Sequence, residues 1–166
     1  MSAESSPVAG DLQVRWTNVD DPVAAPVLQD LSRRYTDLYG DGALREMDRY
    51  GVPDFAAPDG GLLVLVADDG AVAAGALRRY DATTAEFKRM WTREDHRRRG
   101  LARRVLAGLE SEARDRGYTS VHLTTGSRQQ DAAQLYVATG YTPHFDRALL
   151  TAAPEEFREL PFTKQL

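Results

Sequence analysis

The stretch "HRRRGLARRVL", residues 96–106, places three consecutive arginines and a glycine directly before an amphipathic run. Six of the twelve residues in 93–104 are arginine, although the whole chain has a formal net charge of −4. Apolar residues recur every four positions over Leu101–Ala113, which predicts a helix from about Gly100 to Arg116. The unpaired N–H groups and the positive dipole end of that helix, together with the arginine side chains, predict a site for a phosphate or pyrophosphate group.

The patterns on either side of the arginine loop, residues 93–100, predict strands and helices in a definite order. Continuous or alternating apolar residues indicate the strands, and apolar residues three and four apart indicate the helices. We therefore expect an α/β fold: a single domain with a central mixed, mostly antiparallel sheet flanked by helices. The predicted strands are residues 12–17, 62–67, 71–80, 85–92, 119–125 and the tail 159–166, and the predicted helices are residues 22–39, 43–50, 100–116 and 129–139.

Length and composition indicate one globular domain. A chain of 166 residues is about the size of one domain, and we expect residues 1–10 to be a flexible N-terminus and residues 11–166 to form the domain. The chain has no cysteine, which excludes disulfides, thiolate metal sites and a cysteine nucleophile. No apolar run approaches the roughly 20 residues that a membrane span needs, and residues 1–10 lack the pattern of a secretory signal. The expected location is therefore the cytoplasm.

Two common phosphate-binding motifs do not occur in the sequence. A P-loop needs Gly-Lys-Ser/Thr after its glycines, and a dinucleotide-binding fold needs three glycines and an acidic residue on the next strand. His96, His122 and His144 have no metal-ligand spacing, so no metal site is expected. His122 falls in a predicted strand and His96 borders the arginine loop, which makes only His96 a candidate phosphate contact.

The pattern that does occur is Arg-x-x-Gly-x-Ala, residues 97–102. It follows the strand "AEFKRMWT", residues 85–92, and precedes the segment "QQDAAQLYVATGYTP", residues 129–143. In this order the three segments resemble the GNAT family of N-acetyltransferases. The resemblance covers residues 62–143 and implies acetyl-CoA as the co-substrate, with its pyrophosphate on the arginine loop.

The resemblance also assigns candidate contacts to the cofactor. Backbone groups at the end of the strand before the loop contact the pantetheine arm in this family. Gln129 stands where the family often has asparagine. Its role as a cofactor contact is therefore assigned from its position and not from its residue type. The implied cofactor-binding residues are Met90, Trp91, Thr92, Arg97, Arg98, Arg99, Gly100, Leu101, Ala102, Gln129 and Tyr136.

Glu86 and Tyr136 are the candidate catalytic residues. Acetyl transfer to an amine needs a group that accepts the amine proton and benefits from one that protonates the thiolate leaving group. Glu86 lies on a strand among apolar residues and is suited to the role of general base, accepting the amine proton directly or through water. An ion pair with Lys88 is the simpler interpretation of this residue. Tyr136 suits the acid, since its phenol has a reference pKa near 10, although aromatic residues on helices usually pack. With no cysteine, we expect direct attack within a ternary complex.

The sequence indicates the acceptor substrate only through its pattern of charged residues, and two interpretations remain open. Acidic residues outnumber arginines by seven to four between Asp30 and Asp59, with aromatic residues among them, which suits a cationic amine. Lys88 and Arg89 instead favour an acceptor that carries a carboxylate. In either case we expect a primary amine of a small molecule.

Other function classes remain as alternatives. A cluster of arginines is typical of nucleic-acid binding. The sequence pI is near 5.4, however, so most of the protein surface would repel a nucleic-acid duplex. We therefore expect neither a nucleic acid nor a membrane as partner. An acyl-CoA-binding regulatory module without turnover and an acetyltransferase for protein N-termini or lysines stay open. Members of the family often form dimers, so the resemblance leaves a homodimer open as well.

Overall fold

The computed structural model describes residues 11–166, and the predicted flexible N-terminus, residues 1–10, lies outside the described residues. The described chain forms a single α/β domain. Its strands are β1 (Gln13–Thr17), β2 (Gly61–Ala67), β3 (Gly70–Arg79), β4 (Thr84–Thr92), β5 (Ser120–Gly126), β6 (Thr142–Pro143) and β7 (Glu159–Gln165). Its helices are α1 (Ala25–Tyr39), α2 (Leu44–Arg49), α3 (Leu101–Asp115) and α4 (Gln130–Ala138).

The seven strands form one mixed sheet in the order β1-β2-β3-β4-β5-β7-β6. Neighbouring strands are antiparallel except β4 and β5, which are parallel because the chain passes through the arginine loop and α3 between them. The predicted fold class, a mixed and mostly antiparallel sheet flanked by helices, is confirmed. The two-residue strand β6 and the short 3₁₀ turns were not predicted, because they are too short to show a period.

The parallel pair β4–β5 separates along its length. Residues 84–87 of β4 are in register with residues 120–123 of β5, and the pairing ends there. β4 continues to Thr92 and β5 to Gly126, so their carboxyl-terminal halves lie on either side of a gap in the sheet. Backbone groups of β4 that face this gap have no registered partner on β5.

A β-bulge lies in the same half of β4. Ala76 of β3 pairs with Lys88, whereas Ala74 pairs with Trp91, so β4 has one residue more than β3 in this interval. Arg89 within the bulge has a φ of 55°, a left-handed conformation that is uncommon for a residue with a side chain. The bulge therefore interrupts the regular pairing of β4 in the half of the strand that borders the gap.

Two hydrophobic cores hold the sheet between its helices. Val105 and Leu109 of α3 pack with Leu63 and Phe87 on one face, and Val27 and Leu31 of α1 pack on the other. β2 lies between both layers, which explains its continuous apolar sequence. The helices and the sheet therefore hold the two sides of the gap at fixed positions.

The close approach of backbone at Gly60 makes this position sensitive to substitution. A Cβ atom added at Gly60 would lie 2.6 Å from the carbonyl oxygen of Leu77 and 2.8 Å from that of Asp54. Because both atoms belong to the backbone, they give way only if the chain shifts. We expect Gly60→Ala to lower the free energy of unfolding by about 2 kcal/mol, measured by urea denaturation.

Gly51→Ala provides the control for this prediction. A Cβ at Gly51 would have its nearest neighbour, Pro53 Cδ, at 3.9 Å, an ordinary contact. We expect Gly51→Ala to change the stability by less than about 0.5 kcal/mol. Equal stability of the two variants would show that the backbone around Gly60 adapts to a methyl group.

Candidate active site

Two connected cavities open at the gap between β4 and β5. The strand cavity, about 500 Å³, is lined by the bulge of β4, residues 87–90, and by the end of β5, residues 124–126. The arginine cavity, about 920 Å³, is lined by the arginine loop and the start of α3. Both share a wall that includes Tyr35, Met90, Arg128, Gln129, Ala132 and Tyr136. A ligand that enters along the arginine loop therefore reaches the strand cavity beside Met90 and Tyr136.

The arginine cavity has the features of an anion site. Gly100 caps α3 with a φ of 75°, a left-handed conformation that favours glycine, and it lines the cavity together with Leu101 and Ala102. The first N–H groups of α3 have no partner within the helix and lie at the positive end of its dipole. Arg97 and Arg98 line the same cavity and are exposed, so their guanidinium groups are available to an anionic ligand.

Nearly all of the predicted cofactor-binding residues come together around the arginine cavity. The structure places Arg99 outside it, on the exposed side of the loop. Met90, Gln129 and Tyr136 line both cavities. The predicted residues that line the arginine cavity are Met90, Trp91, Thr92, Arg97, Arg98, Gly100, Leu101, Ala102, Gln129 and Tyr136.

Arg34 is a cation of this site that sequence reasoning missed. It reaches from α1 to donate to the carbonyl oxygen of Thr92 at 2.8 Å, and it pairs with Asp30 at 2.8 Å. Burial, and then the nearby Arg97 guanidinium, lower the pKa of Arg34, because both disfavour its charged form. Its spacing within α1 follows an ordinary helix pattern, so the sequence carries no signal for this role.

Ion pairs hold the arginine loop in place at its beginning. Arg93 donates to Asp69 in the β2–β3 turn at 2.8 Å and to Asp95 at 2.7 Å. His96 lies 2.9 Å from Asp95 through Nδ1 and lines the arginine cavity. The predicted candidate His96 therefore lies beside the anion site, and the ion pairs of Arg93 stabilise the start of the arginine loop.

Gln129 is fixed by three hydrogen bonds to its side-chain oxygen. Tyr39, Thr125 and the backbone N–H of Gly126 donate to Oε1 at 3.3, 3.2 and 3.1 Å. With the oxygen engaged, the NH₂ group of the amide is the part that serves a ligand as donor. The three bonds thus fix the orientation of the Gln129 amide where the two cavities meet.

Tyr136 lies where the two cavities meet. It is 4% exposed and contacts Tyr141 and Phe162 edge to face. Burial, and then the nearby Tyr35, raise the pKa of the Tyr136 phenol above its ordinary value, so the hydroxyl stays protonated. The side chain both packs and presents a proton donor to the cavities.

Glu86 is buried and is not part of the wall of either cavity. Arg78 Nη1 donates to Glu86 Oε1 at 2.7 Å, and His122 Nε2 lies 3.8 Å from Glu86 Oε2. The sequence suggested Lys88 as the ion-pair partner, whereas the structure pairs Glu86 with Arg78, its direct neighbour across β3. Lys88, two residues along the same strand, lines the strand cavity.

Aromatic side chains from distant segments surround the strand cavity. Tyr39, at the end of α1, contacts Phe157 edge to face with ring centroids 5.1 Å apart. The Tyr39 hydroxyl accepts a hydrogen bond from the backbone N–H of Arg128 at 3.3 Å, and burial raises its pKa. Phe87 and Tyr35 complete the apolar wall.

The described residues lack two features that are typical of other protein classes. Within residues 11–166, no helix is both long and apolar enough to cross a membrane. In the same part of the chain, no three His, Asp or Glu side chains are grouped as a metal ion would need.

A model of the Acetyltransferase (GNAT) family matches residues 24–141. An uncharacterized N-acetyltransferase of Bacillus subtilis (strain 168), YsnE, is 39% identical over 69 residues, which are 40% of this chain and 46% of that protein. The match to this curated relative thus spans less than half of its length.

Solved structures agree in fold. A GNAT family acetyltransferase from Elizabethkingia anophelis with acetyl-CoA bound has a TM-score of 0.66 at 16% identity, covering 93% of this chain and 98% of that one. The GNAT domain of S. lividans PAT has a TM-score of 0.68 at 19% identity, covering 93% and 90%. The family model covers most of this chain and includes the gap, the arginine loop and α4; the chain therefore belongs to the GNAT acetyltransferase family.

Proposed function

We propose that this protein transfers an acetyl group from acetyl-CoA to a primary amine of a small molecule, and that it does so in the cytoplasm. The observation that carries the proposal is the junction of the two cavities. An anion site on the arginine loop opens, past Met90 and Tyr136, into an aromatic cavity of about 500 Å³. The acetyl-CoA bound to the E. anophelis structure supports this donor for a chain of the same fold.

The donor would lie along the wall from α3 to the bulge of β4. The first N–H groups of α3 and the side chains of Arg97 and Arg98 would hold the pyrophosphate. Backbone groups of residues 90–92 would hold the pantetheine arm, because the pairing of β4 with β5 ends before them. The Gln129 amide would donate from the opposite side of the gap.

The chemistry requires one bond to form and one to break. The amine nitrogen bonds to the acetyl carbon and the carbon–sulfur bond breaks, with the sulfur leaving as a thiolate. N–H groups at the β4 bulge stabilise the negative charge that develops on the carbonyl oxygen. Tyr136 donates its phenol proton to the sulfur, and Glu86 accepts the amine proton through water, since its carboxylate does not line the cavity.

Binding of acetyl-CoA is the first test of this proposal. Acetyl-CoA should raise the melting temperature of the protein, because a ligand that binds only the folded state stabilises it. Arg97→Glu should weaken acetyl-CoA binding by about tenfold, since it replaces a charge-assisted contact by repulsion. Isothermal titration calorimetry gives the affinity directly.

The matched control is Arg114→Glu, the same charge change on an exposed arginine at the far end of α3. It should leave the affinity within about twofold, since exposed charges beyond a Debye length are largely screened. Equal losses in both variants would indicate a general charge effect instead of a site. No binding of acetyl-CoA to the wild type would refute the proposed function, and binding without turnover of any amine would favour a regulatory module.

A further inference from the structure

Building on the proposed function, we infer that the acceptor is an amine that carries a carboxylate beside an aromatic or aliphatic body, as an amino acid does. The inference rests on the charge and the chemical character of the strand cavity. Four of its described side chains are cationic, namely Arg45, Lys88, Arg89 and Arg128, and one, Glu159, is anionic. Lys88 and Arg89 have partners of their own, which leaves Arg45 and Arg128 as the cations available to an acceptor.

Two of the acidic residues that could suit a cationic acceptor have partners of their own. Asp30 accepts from Trp91 Nε1 at 2.7 Å and pairs with Arg34. Burial alone would raise the pKa of Asp30, but Trp91, Arg33 and Arg34 outweigh it and the pKa is lowered. Asp59 pairs with Arg79 at 2.9 Å and does not line the strand cavity. None of the described acids between Asp30 and Asp59 lines the strand cavity.

Arg128 contributes a positive charge that backbone groups alone satisfy. Its Nη1 donates to the carbonyl oxygen of Leu38 at 2.7 Å and its Nη2 to that of Glu155 at 3.4 Å. These are neutral acceptors, so they orient the guanidinium and leave its charge uncompensated. Arg128 and Arg45 are both exposed, and among the described residues neither forms an ion pair with a carboxylate.

A partly closed cavity of this kind strengthens the attraction for an anion. Charges beside low-dielectric walls interact more strongly than charges in open water. Here the walls are the rings of Tyr35, Tyr39, Phe87, Tyr136 and Phe157. The same rings would pack against the body of the acceptor, and the arginines would hold its carboxylate, which leaves the amine directed at the junction of the cavities.

Matched pairs of amines test this inference. We would measure kcat/KM with saturating acetyl-CoA for phenylalanine against phenethylamine and for leucine against 3-methylbutylamine. The two members of each pair differ only in the carboxylate. The carboxylated member should be preferred by at least about tenfold in at least one pair, the gain expected from a charge-assisted contact in a cavity.

Two variants then locate the carboxylate. Arg45→Gln and Arg128→Gln should each reduce kcat/KM for the carboxylated amine about tenfold and change that for its partner by less than about twofold. Arg45 is exposed, so its substitution keeps the protein folded even if loss of the Arg128 contacts does not. An unchanged KM for acetyl-CoA in Arg45→Gln separates an acceptor contact from a pyrophosphate contact. Arg114→Gln is the control and should alter neither amine.

The outcomes distinguish this inference from the proposed function. Equal or faster acetylation of the amines without a carboxylate overturns the inference and leaves the acetyltransferase standing. Binding of acetyl-CoA without acetylation of any carboxylated amine also overturns it. If the protein does not bind acetyl-CoA at all, the proposed function is refuted, and the inference about the acceptor is refuted with it.

Discussion

Glu86→Gln is expected to lower kcat by about 1,000-fold while it changes the affinity for acetyl-CoA by less than about twofold. Glutamine has nearly the same shape as glutamate but accepts no proton at neutral pH. The loss should fall on kcat, because the carboxylate lies away from both cavity walls and therefore contributes little to binding. Steady-state kinetics and calorimetry on the same preparation measure the two effects.

The control for this prediction is Glu110→Gln. Glu110 is also a buried glutamate in an ion pair, at 2.7 Å from Lys164, but it lies on α3 outside both cavities. Both variants leave a cation without its partner and should lose similar stability. A similar loss of activity in the two variants would assign Glu86 to structure and remove it from catalysis.

The pH profile gives a second readout for Glu86. Burial lowers the pKa of His122, and the neighbouring Glu86 carboxylate opposes this only in part. Above that lowered pKa the imidazole is neutral. Below it, the imidazolium 3.8 Å from Glu86 repels the proton that the amine must release toward this carboxylate. Activity should therefore fall toward acid pH, with a midpoint below the reference value of 6.5 for histidine.

The ion pair of Glu86 shows where prediction from sequence ends. On a strand, Lys88 is the nearest charged residue on the same face, so the sequence favours it as a partner. In the sheet, Arg78 lies directly across from Glu86, and directly opposed residues are closer than residues two apart along one strand. The register of β3 and β4 decides this choice: residues 76–79 pair with residues 85–88 in one unbroken register, and the bulge at Arg89 shifts the register only beyond Lys88.

The arginine loop was predictable because its chemistry is local. Arg97, Gly100 and Ala102 are close in sequence, and the strand and helix on either side determine where they lie. Arg34 and Arg128 come from elements far from the loop, and their contacts with Thr92 and Leu38 exist only after α1 packs on the sheet. Acceptor chemistry depends on such long-range contacts, which is why the sequence left the charge of the acceptor open.

Tyr136→Phe is expected to lower kcat by about 100-fold with little effect on stability. Phenylalanine keeps the ring and its edge-to-face contacts with Tyr141 and Phe162, so the packing remains. Only the hydroxyl is lost, and with it the proton for the departing thiolate. The raised pKa of Tyr136 keeps the phenol protonated, so the wild type should show no loss of kcat from this group between pH 7 and about pH 9.

Tyr141→Phe isolates the hydroxyl of Tyr136 from a general effect of removing a buried phenol. Tyr141 is equally buried and touches Tyr136, but its hydroxyl lies 3.5 Å from Glu110 and outside both cavities. This variant should retain kcat within about twofold, since it removes no group near the reacting atoms. A Tyr136→Phe variant as active as Tyr141→Phe would mean that Tyr136 packs only and that the thiolate takes its proton from water. A selective loss would place the leaving group at the junction of the two cavities, and so fix the direction from which the amine must approach.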